Sequence, residues 1–128
     1  TEVPELYRLC AETRGVFVNP ALIEPFGITL IEASACGLPI VATNDGGPRD
    51  IIANCENGIL VDVADPKKIA AALRTLLVDK EKWESCSNNA INGVRKHYSW
   101  HAHCKNYLNH LYTLFPEKKA KEEEFCLN

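Results

Sequence analysis

The 128-residue chain has no basic surplus: 14 Lys and Arg stand against 17 Asp and Glu, giving a net charge of -3. The cations are scattered among acids, without a basic stripe or interleaved aromatics, so no nucleic-acid partner is expected. Also missing is any apolar run near the roughly 18 residues of a membrane span, and no signal-peptide pattern opens the chain. No membrane partner is expected. The six cysteines, Cys10, Cys36, Cys55, Cys86, Cys104 and Cys126, are far apart and form no short paired motif. They read as thiols, with a reducing cytoplasm as the expected location. Cys36 lies among small apolar residues and is expected to pack like alanine, whereas Cys126 is expected to be exposed in the tail. His97, His101, His103 and Cys104 lack a second cysteine pair and lack the acid that a metalloprotease places between its histidines. Helical phasing also turns His103 away from His101, so no metal is expected.

What is present is an ordinary globular composition, 46% hydrophobic and 24% charged, on a length sufficient for one modest core. Strand and helix alternate along it. Leu6, Leu9 and Cys10 recur at helical spacing between Pro4 and Glu12, and Gly15 closes the turn into a buried strand, Val16-Phe17-Val18. A helix follows from Pro25 until Gly37-Leu38-Pro39 stops it, and Ile40 to Thr43 forms a second short strand. Gly46-Gly47-Pro48 reads as a turn with Pro48 opening a helix through Asp50, Ile51 and Ile52. Asn57-Gly58 then turns into a third strand, Ile59-Leu60-Val61. Asp65-Pro66 has the form of a cap and first turn, with Ile69, Ala70, Leu73, Leu76 and Leu77 on one apolar face to about Val78. A helix through Trp83, Cys86, Ala90, Ile91 and Val94 is interrupted at Gly93 or ends near Tyr98. Ser99 caps the last helix, whose buried side is expected to hold Trp100, Cys104, Tyr107, Leu108 and Leu111. Residues 1–115 form the domain; residues 116–128, with Lys118, Lys119, Lys121 and Glu122 to Glu124, form a charged, solvated tail.

Within this frame Glu24 and Glu32 stand out, two acids with seven residues between them. The second interrupts an apolar segment running to Ala33, Ala35 and Cys36. A carboxylate buried there needs a proton, a hydrogen bond or a ligand. On a helix starting at Pro25, Glu32 lies about two turns along, on the order of 12 Å from Glu24. That spacing suits an elongated ligand, with the exposed amides of the helix start near one end. The simpler reading keeps Glu24 as an offset to the helix dipole and pairs Glu32 with a basic side chain. Because the pair follows a strand-to-helix turn, where open parallel sheets bind ligands, the ligand reading is retained. Thr43-Asn44-Asp45 lies at a strand end near the same place, although a turn uses Asn and Asp in any case.

The run Phe17-Val18-Asn19-Pro20-Ala21, then Ile23-Glu24-Pro25-Phe26-Gly27-Ile28-Thr29-Leu30-Ile31-Glu32-Ala33, resembles the donor-site signature of retaining GT-B glycosyltransferases. Gly37-Leu38-Pro39-Ile40-Val41-Ala42-Thr43, Gly46-Gly47-Pro48 and Asn57-Gly58-Ile59-Leu60-Val61 follow in that family's order. Pro25, the Gly-Gly-Pro turn and Tyr98-Ser99-Trp100 are most similar to sucrose-phosphate synthases. The resemblance covers roughly Val16 to Leu111. It implies an α/β fold: a partial Rossmann-like parallel sheet with helices on both faces, half of the C-terminal domain of a GT-B enzyme.

The resemblance also implies roles. Glu24 would be the catalytic-site acid beside the donor sugar hydroxyls, acting by positioning and electrostatics, since retention in this family is usually explained by front-side displacement. The amides of Phe26 and Gly27 would help hold that sugar. Ile28 belongs to the same donor-binding run, Thr29 and Leu30 would face the diphosphate, and Glu32 would accept hydrogen bonds from the ribose hydroxyls. The implied donor is UDP-glucose and the implied acceptor fructose 6-phosphate, with no cofactor. A sucrose synthase, another nucleotide-sugar transferase and a non-catalytic nucleotide-sugar-binding or docking module are the alternatives. An acceptor-binding domain, and the basic pair that neutralises the diphosphate, would fall before Thr1. The strand at Val16 would then have an unpaired edge, inviting self-association, and the helix after Pro25 would be the most buried. Glu32 is expected to be buried and Glu24 more exposed.

Overall fold

The computed structural model describes residues 2–116; the charged stretch from Lys118 to Glu124 and Cys126 lie outside the described residues. In chain order the elements are α1 (Val3–Glu12), β1 (Phe17–Asn19), α2 (Ile28–Ala35), β2 (Ile40–Thr43), α3 (Pro48–Cys55), β3 (Gly58–Val61), α4 (Pro66–Val78), α5 (Lys80–His97) and α6 (Trp100–Leu114). The strands form one parallel sheet in the order β1-β2-β3. Phe17 pairs with Ile40, and Ile40 with Gly58, so all three strands start level.

Side-chain alternation along the strands builds two cores. Ile40 and Ala42 face one side, where they meet Leu30 of α2 and Ile51 of α3, with Phe17 packed against them. Val41 and Val61 face the other side and meet Ala72 and Leu76 of α4 and Cys86 of α5. Helices therefore cover both faces, as expected. The central strand β2 is buried along its whole length, which is why it carries no polar residue before Thr43.

Helix α5 crosses beneath the amino ends of the strands. Trp83 Nε1 donates to Gly15 O at 2.8 Å ahead of β1, and Asn89 Nδ2 donates to Glu56 O at 3.3 Å ahead of β3. Gly93 does not interrupt the helix. A side chain there would collide with Cys55, 2.6 Å from its Cβ, so the glycine serves close packing of α5 on α3. With that end of the sheet closed, the carboxyl ends of the strands are where a ligand can approach.

Three sequence expectations are corrected. The helix after Pro25 begins at Ile28, because Gly27 takes a left-handed conformation (φ +95°) and Glu24 just before it is bridged to Gly46. It places three of its eight residues in the core, and α3 does the same, so α2 is not distinguished by burial. The apolar residues of α6 are not buried: Trp100, Cys104, Tyr107 and Leu108 are exposed, and Ala102 is the helix's buried residue. An apolar stripe declares a need for a partner surface; among the described residues the element that α6 chiefly packs on is α5. Helix α4, in contrast, starts where Asp65 Oδ1 accepts Lys67 N–H at 2.9 Å, and α6 starts where Ser99 Oγ accepts Ala102 N–H at 3.1 Å, as their sequences predict.

Candidate functional site

Two loops meet above the carboxyl ends of β1 and β2. The first leaves β1 at Asn19, which is 9% exposed. Its Oδ1 accepts Ala21 N–H at 2.9 Å, bending the chain outward through Pro20, while its Nδ2 donates to Glu24 Oε2 at 3.0 Å. Thr43, closing β2, donates its hydroxyl to Leu22 O at 3.1 Å and ties the loop down at its middle. The second loop carries Gly46 and Gly47. Glu24 forms an isolated parallel bridge with Gly46, and Gly47 N–H donates to Glu24 O at 2.8 Å. Neither glycine can be replaced without conflict. A Cβ on Gly46 would run into the carbonyl of Glu24, and one on Gly47 into the carbonyl of Phe26.

This contact places two helix starts side by side. Helices α4, α5 and α6 are each capped by a side chain, Asp65, Asp79 and Ser99. The starts of α1, α2 and α3 have no side-chain cap. At α3 Pro48 has no N–H and the amides of Gly47, Arg49 and Asp50 are bonded to Glu24 O, Gly46 O and Gly47 O, so the open start at this place is that of α2, whose cap residue is Gly27. Gly27 O accepts the amides of Leu30 and Ile31, so the amides at the opening of α2 are left for solvent or a ligand. Unsatisfied amides at a helix start carry partial positive charge and favour an anion. The half-buried Glu24 carboxylate stands at the same mouth, one oxygen held by Asn19.

The donor-binding residues named from sequence are close in chain but divide in orientation. Phe26 and Ile28 are 57% and 60% exposed, and Thr29 is exposed beside them. Leu30 is a correction: its side chain is fully buried in the core and its amide is bonded to Gly27 O, so it supports α2 from beneath and does not face the opening. Burial of that side chain stabilises the α2–sheet contact by about 2 kcal/mol. Glu32 is a second correction, because it is exposed while Glu24 is half-buried, the reverse of the expected order. Leu30, Ala33 and Ser34 fill the inward positions of α2, which turns Ile28 and Glu32, four residues apart, to the outside. An acid within an apolar run reads as buried, but the 3.6-residue period puts it on the surface.

Glu32 has no ion-pair partner among the described residues, since the salt bridges there are Lys68–Asp62 and Lys80–Glu84. It separates two concavities. One, of about 580 Å³, is lined by Phe26, Ile28 and Ile31 with Tyr98, Trp100 and the two histidines His97 and His103. The other, of about 450 Å³, is lined by Val3, Pro4, Tyr7, Ala35 and Cys36. The Tyr7 phenol is held above its ordinary pKa, first by burial and then by the negative charge of Glu32. Tyr98 is also raised by burial, against the lowering effect of a 2.9 Å hydrogen bond from Asn54.

Two functional supports went unrecognised in the sequence. Asn19 was visible only as part of a motif, and its grip on Glu24 depends on how the loop folds back. Ser34 and Asn57, both fully buried, join α2 to the start of β3 through a 2.8 Å bond from Asn57 Nδ2 to Ser34 Oγ. Ser34 in a helix and Asn57 before a glycine read as surface and turn residues when each is taken alone.

Residues 1–93 match the family model described as glycosyl transferases group 1. The sucrose-phosphate synthase of Spinacia oleracea is 52% identical over 118 residues, which are 92% of this chain and 11% of that protein. Sucrose-phosphate synthase 4 of Arabidopsis thaliana is 53% identical over 87% of this chain and 10% of its own length. The chain thus spans about a tenth of the curated relatives it matches. Among solved structures, the sucrose-phosphate synthase of Thermosynechococcus elongatus superposes with a TM-score of 0.68 at 29% identity, covering 85% of this chain and 28% of that one. HepE of Anabaena, solved in complex with UDP, superposes with a TM-score of 0.75 at 23% identity, covering 88% and 30%.

Proposed function

The chain belongs to the glycosyl transferases group 1 family, and on that footing we propose that it is the UDP-glucose-binding part of a retaining glucosyltransferase of the sucrose-phosphate synthase kind. In the full-length parent the reaction would transfer glucose to fructose 6-phosphate, releasing UDP and sucrose 6-phosphate. The observation that carries the reading is the uncapped start of α2, whose first amides are open, held against the Gly46-Gly47 turn at the carboxyl ends of β1 and β2 with an acid at its mouth. Such a place offers backbone amides to a diphosphate and a carboxylate to sugar hydroxyls. UDP as the nucleotide rests on the resemblance of the Glu24-to-Glu32 run and on the precedent of HepE, which was solved with UDP.

In this reading Glu24 positions the glucosyl unit and favours the positive charge developing at its anomeric carbon. The amides of Phe26 and Gly27 hold the sugar, Ile28 and Thr29 border the diphosphate, and the outward Glu32 accepts hydrogen bonds from the ribose diol. The exposure of Glu32 suits that role, since a carboxylate without an internal partner is free to meet a ligand. No metal is needed where amides and cations of the parent bear the diphosphate, so turnover should be insensitive to a chelator. The described cysteines are free thiols, which suits a reducing cytoplasm; trapping after rapid alkylation in cells would show disulfides if the compartment is oxidising. The unpaired edge of β1 favours self-association of the isolated chain, to be read as a concentration-dependent sedimentation coefficient.

Calorimetry with UDP and UDP-glucose, beside initial rates with fructose 6-phosphate in the parent, tests the assignment. Glu32→Ala should weaken UDP about tenfold, the scale of a lost hydrogen bond to a charged group. Glu24→Ala should lower turnover about a hundredfold with a smaller loss of donor affinity. Unaltered UDP affinity in Glu32→Ala, or vigorous transfer by residues 1–128 alone, would overturn the proposal.

A further inference from the structure

We infer that Asn19 is a positioning residue for the Glu24 carboxylate: its amide presents one oxygen of Glu24 to the sugar by holding the other. The inference rests on the reading of Glu24 given above. Asn19 is nine-tenths buried, and both ends of its side-chain amide are engaged. Ala21 N–H lies 2.9 Å from Oδ1, and only an oxygen can accept there, so Nδ2 is obliged to point at Glu24. A flipped amide would set NH₂ against N–H and leave the carboxylate facing a carbonyl oxygen, two repulsive contacts at once.

The consequence lies in the carboxylate. A glutamate has three side-chain torsions, and a free one would sample many orientations at the mouth of the site. The 3.0 Å bond from Nδ2 reaches Oε2, which leaves Oε1 unclaimed by it. The backbone of Glu24 is already fixed by the bridge to Gly46 and by Gly47 N–H, so the Asn19 bond acts on the remaining freedom, that of the side chain. Main chain and carboxylate are therefore anchored to different strands, the first through the loop after β2 and the second through the end of β1. A group held at both places meets its ligand without first having to be ordered.

Two substitutions separate this role from turn formation. Asn19→Asp keeps an oxygen for Ala21 N–H but sets a second carboxylate against Glu24. Asn19→Ser also keeps a turn acceptor, and is too short to reach Glu24. The measurement is an NMR titration of the isotope-labelled chain with UDP and with UDP-glucose, for each variant alone and combined with Glu24→Ala. Both Asn19 variants should weaken UDP-glucose about tenfold while UDP changes less than twofold, and neither should weaken UDP-glucose further once Glu24 is alanine. Without any ligand, the Asn19 side-chain amide should show one proton shifted downfield by the carboxylate, and Glu24→Ala should abolish that shift.

The outcomes are distinguishable. If Glu24→Ala weakens UDP-glucose while Asn19→Asp and Asn19→Ser do not, the positioning role is refuted and the reading of Glu24 survives. Equal loss of UDP and UDP-glucose in the Asn19 variants would show a general loop defect and also refute it. If Glu24→Ala leaves UDP-glucose unchanged, the sugar-site reading falls and the inference falls with it. A missing downfield shift of the amide proton removes the contact itself.

Discussion

Replacing Gly47 by alanine isolates the contact on which the site depends. Gly47 has φ -58° and ψ -29°, ordinary helical values that alanine adopts without strain, so the substitution tests space and not backbone conformation. The added Cβ would lie 2.6 Å from the carbonyl carbon of Phe26 and 2.7 Å from its Cα. Those atoms are backbone and cannot rotate away; the loop from Glu24 to Gly27 has to retreat by about 1 Å to reach ordinary contact. That retreat pulls on the 2.8 Å bond from Gly47 N–H to Glu24 O. Losing the bond costs about 1 kcal/mol, and forced overpacking about 1–3 kcal/mol more. The larger effect is expected on function, because a displacement of about 1 Å at reacting groups can cost about a hundredfold in rate. A matched comparison is Gly37→Ala at the opposite end of the sheet, where φ is +86° and the new Cβ would lie 3.1 Å from Ser87 Oγ. That variant should be destabilised by about 1–2 kcal/mol from its left-handed backbone, yet bind donor normally when folded. Denaturant unfolding and calorimetry with UDP-glucose on both variants give the two readouts. Wild-type donor affinity in folded Gly47→Ala, or equal loss of affinity in Gly37→Ala, would refute the claim that the two-loop contact sets the site.

Two further expectations concern the frame of the site. Ser34→Ala removes the partner of Asn57 Nδ2 in a fully buried place where Asn57 Oδ1 already lacks a hydrogen bond, and should cost about 1–3 kcal/mol in chemical denaturation; a change under about 0.5 kcal/mol would mean that water or a rearranged side chain satisfies the amide. The buried thiols of Cys55 and Cys86 are pushed above their ordinary value of 9.0, chiefly by burial, and Tyr98 is pushed above 10.0 for the same first reason. The unfolded chain then loses these protons at lower pH than the folded one, so their contribution is intact below about pH 9 and declines as pH rises from there through the folded values. Among the described cysteines, alkylation under native conditions should label the exposed Cys104 first and reach Cys55 and Cys86 only on unfolding; a stability that rises from pH 9 to 10.5, or rapid labelling of Cys86, would contradict this.

Local chemistry determined much of the protein before any packing was known. Ile40 to Thr43 is a strand because a short β-branched run sits between Pro39 and the Asn44-Asp45-Gly46 turn, and its bounds are those of β2. Asp65-Pro66 and Ser99 set helix starts by satisfying orphan amides within their own few residues, so sequence suffices to find them. The spacing of glycines and acids from Glu24 to Gly47 likewise points to the place proposed for the site. Tertiary structure decided what no local pattern encodes: which way each residue faces and what covers it. Glu32 looked buried from its apolar neighbours, but α2 starts three residues later than Pro25 and its inward stripe is Leu30, Ala33 and Ser34, which leaves the acid outside. Trp100 and Tyr107 form an apolar face that remains exposed, because burial is supplied by a neighbour and not by the stripe itself. The bond from Asn19 to Glu24 is decided only when Thr43 and Gly46 fold the loop back over the ends of two strands, a consequence of sheet order and register that five residues of sequence separation do not reveal.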